Sequence, residues 1–276
     1  MALSMVTNIA SVRAQRNLSK TTAMLGESVN RLSSGLRINS AGDDAARSAI
    51  ATQLTAHSQG LYQAKRNASD SVSMVQTAEG AMQEMTGIVQ RMRELSVQAS
   101  NDGTMDTTAR GYLDQEFQLL EAELDRIVSV TEFNGNKLID GTLSSGTNFQ
   151  VGFKNTGNDR ISLSIASTSS TTLGINDEVL TTATGAQKAI AALDTALTTI
   201  NTQRATLGAT QNRLEMTINN LGASYENHAA SLSRIRDVDV AEETARFTSN
   251  QILSQAGISV LAQANALPTA ALMLLG

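Results

Sequence analysis

IAALDTALTTINTQRATLGATQNRLEMTINNLGASYENHAASLSRI, residues 190–235, decides the fold, because its apolar positions step by three and four residues almost without interruption. The ladder runs Ile190, Leu193, Leu197, Ile200, Leu207, Leu214, Ile218, Leu221, Tyr225, Leu232 and Ile235, and Arg204, Gln211 and His228 fill its gaps on schedule. A repeat of this kind is a coiled-coil seam. At about 1.5 Å per residue the run makes a rod of roughly 70 Å, far beyond the three turns usual in globular proteins. One such rod cannot bury its own stripe, so the remaining chain must supply partner helices.

Composition permits them. The 276 residues include 19 Gly, one proline at Pro268, no Cys, no Trp and 3% aromatic residues. Nearly the whole chain therefore lacks the strongest helix breaker. A core of Leu, Ile, Val, Met and Ala suits thin helical bundles. The net charge of −5 argues against nucleic acid as a partner, which needs a concentrated basic surface. The ends are opposite in sign: Arg13, Arg16, Lys20, Arg31 and Arg37 against Glu27 give +4 over 1–40, whereas Asp237, Asp239, Glu242 and Glu243 against Arg246 give −3 over 237–276. That is compatible with their lying side by side. MALSMVTNIA lacks the basic region and apolar core of a secretory signal, and no stretch has the length of a membrane span.

The spacing predicts a helix over 4–33, with Met5, Ile9 and Val12 in one register and Leu18, Leu25, Val29, Leu32 and Leu36 in another, Thr22 filling a place. SSGLRINSAGDDAA then interrupts the pattern, and Ser40 with Asp43 has capping-box spacing. A second helix is expected from about Asp43 to Ser100, closing on Met82, Met85, Val89, Met92, Ser96 and Ala99, where the methionines read as core rather than as a metal site. NDGTMD at 101–106 is a turn; a calcium loop counted from Asp102 would end at Leu113 instead of Glu. Leu113, Phe117, Leu120, Leu124 and Ile127 mark the return helix. Asn134-Gly135 reads as a hairpin turn, and Phe149, Val151 and Phe153 with Ile161, Leu163 and Ile165 as two half-buried strands. STSSTTLGINDE reads as a polar loop open to insertion or modification. After Ile235 a last helix carries Leu253, Ala256, Val260, Ala264, Leu267, Ala271 and Leu274 and ends in the apolar tail LPTAALMLLG, which must be covered by something.

The fold expected is mainly α: a long antiparallel coiled-coil or helical bundle with a small β-hairpin region and paired N- and C-terminal helices. No catalytic, cofactor or metal constellation is present in the sequence. His57 and His228 have no companion Cys or ligand-spaced acids, and Glu121, Glu123 and Asp125 read as solvated surface.

NLSKTTAMLGESVNRLSSGLRINSAGDDAARSAIA at 17–51, QRMRELSVQASN at 90–101, TEFNGNKLIDG at 131–141 and SRIRDVDVAEETARFTSNQILSQAGISVLAQAN at 233–265 strongly resemble bacterial flagellin. The resemblance implies a homopolymer of many copies, the extracellular filament of the flagellum, exported uncleaved by the organelle's type III apparatus with an export chaperone and a filament cap as partners. It implies an inner terminal coiled coil of 1–42 with 236–276 and an outer bundle of 43–235. The chain lacks a large insertion between Ser167 and Gly185, so a thin, smooth filament is expected. The resemblance also implies recognition by the flagellin-sensing Toll-like receptor around RMREL, carried over to Arg91, Leu95 and Glu116, with Leu95 placed beside the seam. Leu18, Leu25, Leu32, Leu253, Val260, Leu267 and Leu274 are the expected assembly contacts of the termini. A hook-filament junction protein and a cytosolic coiled-coil adaptor are the competing readings.

Overall fold

The computed structural model describes residues 7–273, with side chains over 7–266. Among the described residues six α-helices form: α1 Ile9–Ser34, α2 Ala45–Ala99, α3 Thr107–Val130, α4 Ser170–Leu173, α5 Ala183–Arg236 and α6 Val240–Met273. Four short strands, β1 Glu132–Phe133, β2 Asn136–Lys137, β3 Thr147–Gln150 and β4 Arg160–Leu163, make two antiparallel hairpins. The chain is thus mainly α with a small β region. It divides into two compact units, Met1–Ser58 with Asn227–Gly276 and Gln59–Glu226, and the division falls inside α2 and α5.

Within 59–226, α2 presents Leu61, Ala64, Ala68, Ser71, Val75, Ala78, Met82, Met85, Val89, Met92, Ser96 and Ala99 inward, none more than 5% exposed. Their steps alternate three and four without a slip. On α5, Leu193, Ile200, Leu207, Leu214 and Leu221 are buried, as the spacing predicts. The alternate places differ from that expectation: Ala189, Ala196 and Thr210 are buried, while Leu197 and Ile218 are half-buried flanks against the same core. Tyr225 is 39% exposed and lies off the seam, and Arg204 reaches sideways to Glu79 at 3.6 Å. Small side chains occupy the seam because they let two backbones approach, and the bulky ones widen it.

Asp106 caps α3 by accepting from the Ala109 amide, and α3 buries Phe117, Leu124 and Val128, with Leu113, Leu120 and Ile127 half-buried beside them. The turn before it is fastened by Arg110, whose buried guanidinium donates to the Ala99 and Asn101 carbonyls and to Asp102 at 2.7 Å. Asn134 and Gly135 both take positive φ, 50° and 79°, the backbone of a two-residue type I′ turn that matches the twist of β1 and β2. In the second hairpin Phe149 pairs with Ile161, and Val151, Ile161, Leu163 and Ile165 are buried as the alternation predicts.

Residues 167–178 depart from the expectation of an open polar loop. Ser170 donates from both its amide and its hydroxyl to Asp125, Ser169 caps the single turn α4, and Thr168, Leu173 and Ile175 are buried. Hydroxyls that satisfy their own backbone and one carboxylate let a polar stretch pack like core. Only Thr171 and Thr172 present open surface in the 167–172 run.

Phe153 sits directly on Gly60 of α2, where an added Cβ would lie 2.8 Å from the Phe153 Cβ. At Gly80, on the same helix, an added Cβ meets nothing within 4 Å. Gly80→Ala should raise stability by up to about 1 kcal/mol through helix propensity. Gly60→Ala should instead lower it by about 1–3 kcal/mol through overpacking. Urea midpoints of the two variants check the contrast, and equal shifts would show that the hairpin is loosely held.

In the unit of 1–58 with 227–276, α1 and α6 pair antiparallel. Asn8 donates to the Ala264 carbonyl at 2.8 Å, Leu18 packs on Gly257, and Arg31 meets Glu243 at 3.7 Å. Among the described residues the opposite charges of the two ends meet in the Arg31–Glu243 pair, with the Glu243 side chain 5% exposed. The α1 seam is Ser11, Ala14, Leu18, Thr21, Leu25, Ser28 and Leu32; Ile9, Val12, Thr22 and Val29, expected inward, are exposed. Met5 lies outside the described residues. Beyond α1 the chain is clamped by an antiparallel bridge between Leu36 and Asp237, and by the Arg37 guanidinium on the Ile235 carbonyl. The Ser40 and Asn39 amides both donate to Asp43, holding its carboxyl below the usual carboxylate range, while Asp44 caps α2 at the Arg47 amide.

Candidate assembly surface

The sequence RMREL, 91–95, occupies more than one turn of α2, so successive side chains leave in different directions. Arg91 donates to Glu116 of α3 at 2.8 Å and to Glu94 at 3.1 Å. Met92 is in the core. Arg93 donates to Asp194 of α5 at 2.7 Å. Two arginines thus fasten α2 to both neighbouring helices around one buried methionine. Hydrogen bonds to Glu116 and then Glu94 raise the pKa of Arg91, and the bond to Asp194 raises that of Arg93. Both arginines remain near half exposed, so these pairs fix orientation more than they add stability.

Leu95 is placed otherwise than the sequence suggests. It is 1% exposed and packs in the main core, because the stripe on α2 widens there to take Leu95 and Ser96 side by side. Arg91 and Glu116 share a half-exposed ridge, whereas Leu95 is in the core.

α6 is apolar well beyond the face it turns to α1. Its face toward α1 is Glu243, Phe247, Asn250, Ser254, Gly257, Leu261 and Ala264, the buried or half-buried positions among its described side chains. Leu253 and Val260, 54% and 55% exposed, lie outside that face, as do Ile252 at 61%, Ile258 at 57% and Val240 at 61%. Leu18, Leu25 and Leu32 of α1 are half-buried in the seam. The side chains of Leu267 and Leu274 lie outside the described residues. In the other unit an open groove of about 480 Å³ runs between the β3–β4 hairpin and α5, with Leu61, Val151, Phe153 and Leu221 in its wall and Arg160 and Arg213 at its edge.

Several anchoring residues escape sequence reasoning. Arg110, the Asp125–Ser170 pair, and Asp114, which accepts from the Leu180 amide at 2.6 Å, leave no periodic signal. The Arg93–Asp194 partners stand 101 residues apart in the chain. Among the described residues no group of three or more His, Cys, Asp or Glu is arranged to hold a metal ion, and no helix is long and apolar enough to cross a membrane.

Comparison with known proteins bears on this arrangement directly. Residues 5–144 match the bacterial flagellin N-terminal helical region and residues 190–275 the bacterial flagellin C-terminal helical region. A flagellin of Halalkalibacterium halodurans is 44% identical over 268 residues, covering 97% of this chain and 98% of the relative. The flagellar filament 33 kDa core protein of Treponema phagedenis is 40% identical over 283 residues, covering 97% and 98%. The crystal structure of Bacillus cereus flagellin, 34% identical, superposes with a TM-score of 0.51 over 60% of this chain and 94% of that one. The chain belongs to the bacterial flagellin family, structural subunits of the flagellar filament rather than enzymes.

Proposed function

We propose that this chain polymerises into a long extracellular flagellar filament, with 1–42 and 236–276 as the inner layer and 43–235 as the outer. The observation that carries this reading is the apolar surface of α6 outside its face toward α1. Ile252, Leu253 and Val260 are more than half exposed although α1 already covers another face of the same helix. Apolar side chains exposed in that number on one helix call for further copies of the chain. Negative-stain microscopy of purified protein is the test: filaments of indefinite length are expected, whereas short ring-like assemblies would indicate a hook-filament junction protein and discrete oligomers a cytosolic adaptor.

The terminal pair is marginal in the free subunit on this reading. Its seam sets Leu18, Leu25, Leu32, Phe247 and Leu261 among Ser11, Thr21, Ser28, Ser254 and Gly257, too little apolar area to offset about 1–2 kcal/mol per residue of backbone ordering. Export uncleaved, escorted by a chaperone and received by a filament cap, suits a chain whose ends fold on assembly. Limited proteolysis should trim monomer to a core near 43–235 and leave filament intact; resistant termini in verified monomer would overturn the idea.

The ridge of Arg91 and Glu116 is the proposed contact for the flagellin-sensing Toll-like receptor. Losing a charged hydrogen-bonding group at an interface costs about 1.5–3 kcal/mol, so Arg91→Ala should raise the half-maximal signalling dose roughly tenfold or more. Circular dichroism should be unchanged. Leu95→Ala is unsuitable as a surface probe, since truncating a buried leucine costs about 2–5 kcal/mol of stability.

A further inference from the structure

We propose that Tyr62 and Tyr225 form an oxidative cross-linking site, at which a haem peroxidase with hydrogen peroxide joins the two rings into an intramolecular dityrosine between α2 and α5. The chain has three tyrosines, and two of them, far apart in sequence, meet with ring centroids 6.1 Å apart and planes inclined at 49°. Both are accessible to an oxidant, 56% and 39% exposed. Beneath them Leu61, Ala64 and Leu221 form a small buried cluster with Phe153 against it, which fixes the spacing of the two helices. The rings therefore need only side-chain rotation to touch, and exposed side chains rotate in picoseconds to nanoseconds. With no cysteine in the chain, no disulfide can join these helices, and the phenols are the side chains placed to do so.

The chemistry balances. Each phenol gives up one electron and one proton, and the two phenoxyl radicals couple through a bond between ring carbons ortho to oxygen. The ortho hydrogens return to the oxygens as the rings regain aromaticity. The product is lighter by two hydrogens, and one hydrogen peroxide is reduced to two waters. The bond closes a long loop of chain and so restricts the unfolded state much as a disulfide does. The site is intrinsic to the monomer and is independent of whether the chain polymerises.

The test treats dilute monomer with a haem peroxidase and hydrogen peroxide, then combines dityrosine fluorescence, intact mass and peptide mapping. A monomer lighter by two hydrogens is expected, with one cross-linked peptide pair holding Tyr62 and Tyr225 and a raised thermal midpoint. Tyr62→Phe and Tyr225→Phe should each lose the product. Tyr112→Phe should retain it, although Tyr112 is the most exposed of the three at 71%. Dimers linked through Tyr112 as the main product, or fluorescence surviving in Tyr62→Phe, would overturn the assignment. An unchanged midpoint in the mapped cross-linked monomer would overturn the stabilising role.

Discussion

Leu214→Asp should abolish the folded 59–226 unit. Leu214 is fully buried on α5 within the main core. The substitution removes about 1.5–3 kcal/mol of apolar burial and puts a carboxylate into an apolar core, at a cost of several kcal/mol more. Against a total stability of about 5–15 kcal/mol this is decisive. Met216→Asp supplies the control: two residues away on the same helix, Met216 is 70% exposed and should tolerate the charge. Far-UV circular dichroism melts and soluble yield distinguish the two. Similar melts for both variants would mean that the seam is not where Leu214 places it.

The second large effect is on assembly without loss of fold. Leu253→Asp combined with Val260→Asp leaves the face of α6 toward α1 untouched, since that face is made by Gly257, Leu261 and Ala264. Two apolar contacts repeated in every subunit are together worth about 3–6 kcal/mol. The critical concentration for polymerisation should therefore rise by roughly two to four orders of magnitude. Sedimentation of seeded filaments measures it, with monomer helicity expected to equal that of the parent. Filaments forming at the parental concentration would show that these two side chains are not assembly contacts.

Periodicity made the helices legible because a stripe repeating every three or four residues leaves little freedom in where a long helix can hide its apolar side. It did not settle which residue fills the alternate place. After Leu193, both Ala196 and Leu197 satisfy the step, and a reading weighted by hydrophobicity chooses leucine. Close helix packing selects alanine and pushes leucine to the flank. The same one-residue ambiguity exchanges Thr22 for Thr21 and Val29 for Ser28 on α1. Leu95 shows a related ambiguity: a position beside an ideal stripe is either exposed or part of a widened core, and here it is core. The 167–178 segment was opaque because its anchor, Asp125, lies on α3, and nothing in a Ser/Thr-rich composition discloses a partner 45 residues away.

The unbroken register of α2 has a mechanical consequence. An undistorted α-helix drifts by about 20° for every seven residues relative to a strict sevenfold repeat, so keeping the repeat winds the helices left-handedly about each other. From Leu61 to Ala99 no insertion relieves that winding. Torque that tightens the winding presses the seam together and meets close-packed side chains, whereas torque of the opposite sense opens it. The 59–226 bundle should therefore resist twisting in one sense more than in the other.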